Sequence, residues 1–237
     1  MNDIFALIRL ILRRDRVRLP VWIFCLVVFL TLMVPVIQQS LGGSETLHDL
    51  SLQFDANPAI RFLVGPMDAS TFGAAFTIKT LLWWGIAVAI MNILLVVRHT
   101  RANEENGTQE ILLSTRVRRG ADLVAVLSVS AIANLVIAVG IAGGLSAATH
   151  EISSEQGWLF GVGIGLTGFL WAVITGLIAQ VVSSARGAYG VAAFLVGMAF
   201  VLRGVGDFFG TVSSSGVSKA QWVSFLSPFG GCKRLVP

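Results

Sequence analysis

Glu104 and Glu105 stand side by side, and paired glutamates working with histidines can hold a metal ion and activate water, as an intramembrane metalloprotease would need. That chemistry requires groups converging at helical spacing. His48, His99 and His150 are scattered, none of them inside a long apolar run, so no catalytic residue and no metal ligand is assigned. Gly163 to Gly168 spells GxGxxG, but a dinucleotide site needs those glycines between a strand and a helix, and here they lie within an apolar run. With Gly161, and with Gly140 and Gly144 on the preceding run, they read as small-residue faces for close helix contact. Gly73 to Thr80 ends like a phosphate loop in Lys79-Thr80 but has Ile78 where glycine is required, so this chain is not expected to bind ATP or any other cofactor.

The remaining chemical density is in residues 98–121, a hydrophilic segment with five arginines and three glutamates between two long apolar runs. Charge runs are usually solvated connectors. Against that reading, Ile111, Leu112 and Leu113 are three successive apolar residues in a short polar loop, which invites burial against a partner.

The elements that position this loop follow from composition. Hydrophobic residues make up 55% of the 237 and charged residues only 13%, against roughly a quarter charged in soluble domains, so the chain is read as an all-α integral membrane protein. Spans are predicted at about 20–37, 78–97, 123–148, 158–182 and 189–209. Residues 1–19 set Ile4, Leu7, Ile8 and Ile11 against Arg9, Arg13 and Arg16, which fits either an amphipathic interfacial helix or a plain cationic flank. Pro35 is a candidate bend in the first span. Residues 38–77 form a polar loop. The clean apolar part of the fifth run ends at Leu202: either the span takes in Arg203 and Asp207, which four residues apart would face the same side of a helix and pair, or, in the favoured reading, it stops at Leu202 and both lie among the outer head groups.

Counting Lys and Arg on alternate sides puts eleven with the amino terminus and three opposite, so the amino terminus and residues 98–121 are expected in the cytoplasm. The net charge of +4 sits at span ends without a basic, aromatic-interleaved face, which gives no support to a nucleic-acid partner. Cys25 and Cys232 suggest no disulfide framework. Span-borne side chains that could line a substrate cavity are Trp83, Trp84, Asn92, Asn134, Trp171 and Gln180, although polar groups in spans more commonly bond to neighbouring helices.

The run Arg101 to Leu113 contains Glu104-Glu105, Gly107-Thr108 and Glu110-Ile111-Leu112-Leu113, and it resembles the loop between the second and third spans of type-2 ABC exporter permeases, approximately EExxGTxELLL. Leu226-Ser227-Pro228-Phe229-Gly230 is similar to a motif before the sixth span in the tetronasin-type subgroup, which exports polyketide antibiotics. The resemblance implies an amphipathic amino-terminal helix (1–19) followed by a transmembrane domain (20–237), the first repeat of such a permease stopped before its sixth helix. It further implies no enzymatic activity in this chain, a separate ABC ATPase subunit that carries ATP and Mg, and a hydrophobic antibiotic-like substrate exported through a bacterial cell membrane. Residues 98–121 would be the coupling element, with Arg101, Glu104, Glu105, Gly107, Thr108, Glu110, Ile111, Leu112 and Leu113 meeting the ATPase. A non-transporting membrane scaffold, using the same loop for a partner, is the competing reading.

Overall fold

A computed structural model describes residues 2–41, 62–63, 72–105 and 120–209. They form seven helices: α1 (Asn2–Arg14), α2 (Arg18–Leu41), α3 (Phe72–His99), α4 (Arg101–Glu105), α5 (Ala121–Ala148), α6 (Ser154–Val181) and α7 (Ala185–Phe209). Five of these, all but α1 and α4, are long and apolar enough to cross a membrane. A helix satisfies its own backbone polar groups, which lipid cannot do, so apolar runs of this length have no other way to span. The chain is an all-α, multi-pass membrane protein.

The helices overrun the apolar windows that announce them. α3 begins at Phe72, six residues before the predicted start, because Phe72, Ala75 and Phe76 are buried in the core and Phe76 meets the Phe160 ring at 6.0 Å. Tertiary packing there outweighs the local cost of Gly73 in a helix. α2 runs through Pro35 to Leu41.

α5 and α6 form the central antiparallel pair. Their short link ends in a capping box: the Ser153 hydroxyl accepts from the Gln156 amide, and the Gln156 side chain accepts from the Ser153 amide, each at 3.2 Å. The glycine face expected on α6 is where the two helices meet. A methyl group at Gly161 would collide with the Ala138 carbonyl, and one at Gly168 with the Asn134 side chain. Gly140 and Gly144 likewise face Val27 and Thr31 of α2.

Three apolar clusters hold the bundle: one joins α2, α3, α5 and α6, a second joins α3, α6 and α7, and a third seats Leu7 and Ile11 of α1 on α5 and the end of α3. The amino-terminal segment is therefore a separate helix pinned to the bundle, not a mere cationic flank of α2. α2 itself is peripheral, with 17% of its apolar window buried against 67% for α3.

Arg203 corrects the sequence reading. α7 continues past Leu202 to Phe209, and Arg203 is fully buried in protein instead of sitting among head groups. Its Nη2 donates to the carbonyls of Phe62 at 3.0 Å and Leu63 at 2.7 Å, and its guanidinium lies 5.7 Å from the Phe200 ring centroid. A guanidinium in apolar surroundings is tolerable when carbonyls and an aromatic face replace its water. The Asp207 side chain lies outside the described residues.

Candidate functional site

One end of the bundle gathers the polar groups that α1, α3 and α4 bring together. Asp15 sits in the short turn between α1 and α2, where the chain must break to pass from one helix to the other. Its carboxylate is buried and accepts from two side chains in the last turn of α3, Arg98 and His99. An unpaired buried carboxylate would be costly, so the pair of donors is what allows Asp15 to be there. Beside it, Arg14 donates to the Asn103 side chain at 2.6 Å, and Asn103 in turn donates to the His99 carbonyl at 3.2 Å.

Thr100 separates α3 from the five-residue α4, its hydroxyl bonded back to the Val96 carbonyl at 2.7 Å. α4 is the start of the charged loop, and it is held on two further sides. Arg101 donates to the carbonyl of Ala179 near the end of α6 and pairs with Glu104. Glu105 accepts the amide of Ala185, the first residue of α7, at 2.8 Å. The first turn of the loop is thus braced to the α1–α2 turn, to α6 and to α7 at once.

Of the nine loop residues singled out by sequence, Arg101, Glu104 and Glu105 are brought together here, and each makes a polar contact within this chain. Gly107, Thr108, Glu110, Ile111, Leu112 and Leu113 lie outside the described residues. Sequence reasoning did not find Asp15, Arg98, His99, Arg14 or Asn103. The available signal was Asp15 alone, one acid set among Arg13, Arg14, Arg16 and Arg18.

The cavity candidates separate into four environments. Asn92 of α3 and Asn134 of α5 are buried and face each other: Asn92 Oδ1 accepts from Asn134 Nδ2 at 2.9 Å and from Ser130 Oγ at 2.6 Å, while Asn92 Nδ2 donates to Asn134 Oδ1 at 3.2 Å. Every polar atom of that trio finds a partner within the trio or on its own helix, which makes it an interhelix clasp. Trp171 is buried in the cluster of α3, α6 and α7, and Gln180 is exposed. Trp83 and Trp84 line a groove of about 510 Å³ between α2 and α3, with Trp22, Phe24 and Phe29 opposite and no charged side chain in its wall. The Trp84 ring stacks on Phe29 at 5.7 Å, and its indole N–H donates to the Leu26 carbonyl at 3.0 Å. Among the described residues, no three His, Cys, Asp or Glu side chains converge.

Residues 7–236, which contain the braced loop start, the asparagine clasp and the groove, match the family model described as the multidrug efflux system permease Rv1217c, C-terminal domain. The chain is also similar to the multidrug efflux system permease protein Rv1217c of Mycobacterium tuberculosis, 35% identical over 233 residues, which cover 95% of this chain and 41% of that protein. It spans about two fifths of that relative's length.

Proposed function

This chain belongs to the multidrug efflux permease family of the Rv1217c C-terminal domain, and from that premise we propose that it is a membrane-spanning permease subunit of an ATP-driven ABC exporter for hydrophobic, antibiotic-like compounds. The braced start of the loop carries the reading. A loop that transmits force from a separate ATPase must be tied stiffly to the spans, and α4 is tied to the end of α1, to α6 and to α7 through Asn103, Arg101 and Glu105. Movement pressed onto residues 106–119 would then pass to several spans together instead of being absorbed by a slack tether.

In this scheme Glu104 and Glu105 are positioning residues. Contact with the ATPase falls to Glu110, Ile111, Leu112 and Leu113, a mixture of acceptor and apolar groups suited to a groove on a partner. ATP and Mg belong to that partner. The arginines of residues 9–18 share an end of the bundle with Arg98, Arg101 and Arg186, which supports a cytoplasmic placement of that end. The α2–α3 groove is within the roughly 300–1,000 Å³ of small-molecule sites and is apolar, which suits a hydrophobic cargo arriving from lipid. The tetronasin-type subgroup and the first-repeat placement rest on residues 226–237, outside the described ones, and the C-terminal description of the matched family gives the first-repeat placement no support.

Co-purification with a co-expressed ABC ATPase subunit tests the coupling role. Leu112→Asp should reduce association at least tenfold, since a carboxylate buried without a partner costs more than the ~1.4 kcal/mol that a decade requires. Undiminished association would remove the coupling role, whereas ATP hydrolysis by the reconstituted complex that does not respond to added hydrophobic drug would favour the scaffold.

A further inference from the structure

Next to the Asp15 knot, α2, α3 and the first turns of α7 enclose a second cavity of about 170 Å³ that the coupling scheme does not use. It is too small for a drug-sized molecule, whose sites start near roughly 300 Å³. Its rim carries two guanidiniums, Arg18 and Arg98, and Tyr189, the one tyrosine of the chain. Asp15 also lines it, but that carboxylate is already taken by Arg98 and His99. Arg18 is exposed and has no carboxylate partner among the described residues, so the rim keeps a positive balance.

Five of the nine lining residues are apolar, with Leu19 and Trp22 from α2 and Met91 and Leu94 from α3 forming most of that wall. A free anion would gain nothing from such a wall. Trp22 also lines the α2–α3 groove, and Ala87 of the groove is one helical turn from Met91, so cationic rim and apolar groove share a single seam. From Arg98 to Trp84 that seam runs fourteen residues of α3, roughly 21 Å, which exceeds the ~15 Å depth of one leaflet's tails.

We infer that this cavity is a binding site for an anionic glycerophospholipid, its phosphate held between Arg18 and Arg98 within reach of the Tyr189 hydroxyl and its acyl chain laid along Trp22 and Met91. Basic pockets between spans at head-group level are suited to such lipids, and a single Arg or Lys near an anionic surface contributes about a fivefold gain in binding. A Trp and a Tyr at the same level match the amphipathic zone where a head group meets its tails. That this leaflet is the cytoplasmic one rests on the orientation proposed above; the choice of lipid does not.

Native mass spectrometry of the purified chain, titrated with phosphatidylglycerol or phosphatidylcholine of the same acyl composition, tests the site with no ATPase present, so its outcome is separate from that of the coupling role. The wild type should retain phosphatidylglycerol about fivefold better. Arg18→Gln should abolish that preference, Arg18→Lys should keep most of it, and Arg9→Gln, an exposed cation of α1 that does not line the cavity, should leave it intact. Millimolar inorganic phosphate should displace no lipid. Equal retention of the two lipids by the wild type, or a preference that survives Arg18→Gln, would overturn the site; displacement by inorganic phosphate would show it to hold a free anion.

Discussion

Replacing Asp15 by Asn tests whether the knot is a structural brace. Asp15 is 4% exposed, His99 about as buried, and the Arg98 side chain 24% exposed. An asparagine of the same shape offers one acceptor oxygen where the carboxylate offers two, so Arg98 keeps only a neutral acceptor and His99 keeps a partner only by turning its ring to accept from the amide N–H; both bonds lose the carboxylate's charge. Hydrogen bonds to charged groups contribute about 1.5–3 kcal/mol, and full rupture of a buried pair costs about 3–5 kcal/mol. Arg98 can reach water after the change, which discards the upper end and leaves an expected loss of about 2–3 kcal/mol. Arg98→Gln should cost a similar amount. The double variant should be less damaging than the sum of the two by at least about 1 kcal/mol, because both remove the same contact. Equilibrium unfolding in mixed micelles would give the three values. An Asp15→Asn loss under about 0.5 kcal/mol, or losses that add, would refute the idea that this pair holds α1, α2 and α3 together.

Gly161→Ala should destabilise by about 1–3 kcal/mol, because the new methyl meets the Ala138 backbone carbonyl, which cannot turn aside; Gly143→Ala, whose methyl meets nothing, should be neutral or mildly stabilising in the same micellar unfolding assay. Asn92→Leu should cost about 1–2 kcal/mol by leaving Asn134 and Ser130 without their shared partner, and Asn134→Leu in the same background should add little. Arg203→Leu should detach the Phe62–Leu63 backbone from α7, read as faster proteolysis near residue 62 while the α5–α6 pair stays protected. An unchanged cleavage rate would mean that Arg203 does not anchor that segment.

The five spans were legible because they depend on summed apolar content over some twenty residues, a quantity that local sequence carries whatever the neighbours are. The small-residue face of α6 was legible for a related reason: glycines at Gly161, Gly165 and Gly168 have few other uses inside an apolar run, and they do meet α5. The loop motif was visible as residue types in order, but the duties of its members were not. Glu105 reads from the sequence as a group offered to a partner, and nothing in the order of residues shows that one of its oxygens accepts a backbone amide eighty residues away at the head of α7.

Asn92 and Asn134 are forty-two residues apart and their spacing says nothing of one another; only the close approach of α3 and α5 makes them a closed clasp instead of two cavity-lining amides. Arg203 follows the same logic. By sequence a guanidinium at the end of an apolar run belongs with water, because the cost of burying it is local and certain, whereas the carbonyls of Phe62 and Leu63 that replace the water come from 140 residues earlier. What one segment's own solvation demands could be read from the chain. Which distant segment supplies the missing partner was settled by packing, since hydrogen bonds of a few ångströms join residues whose separation along the chain carries no trace of it.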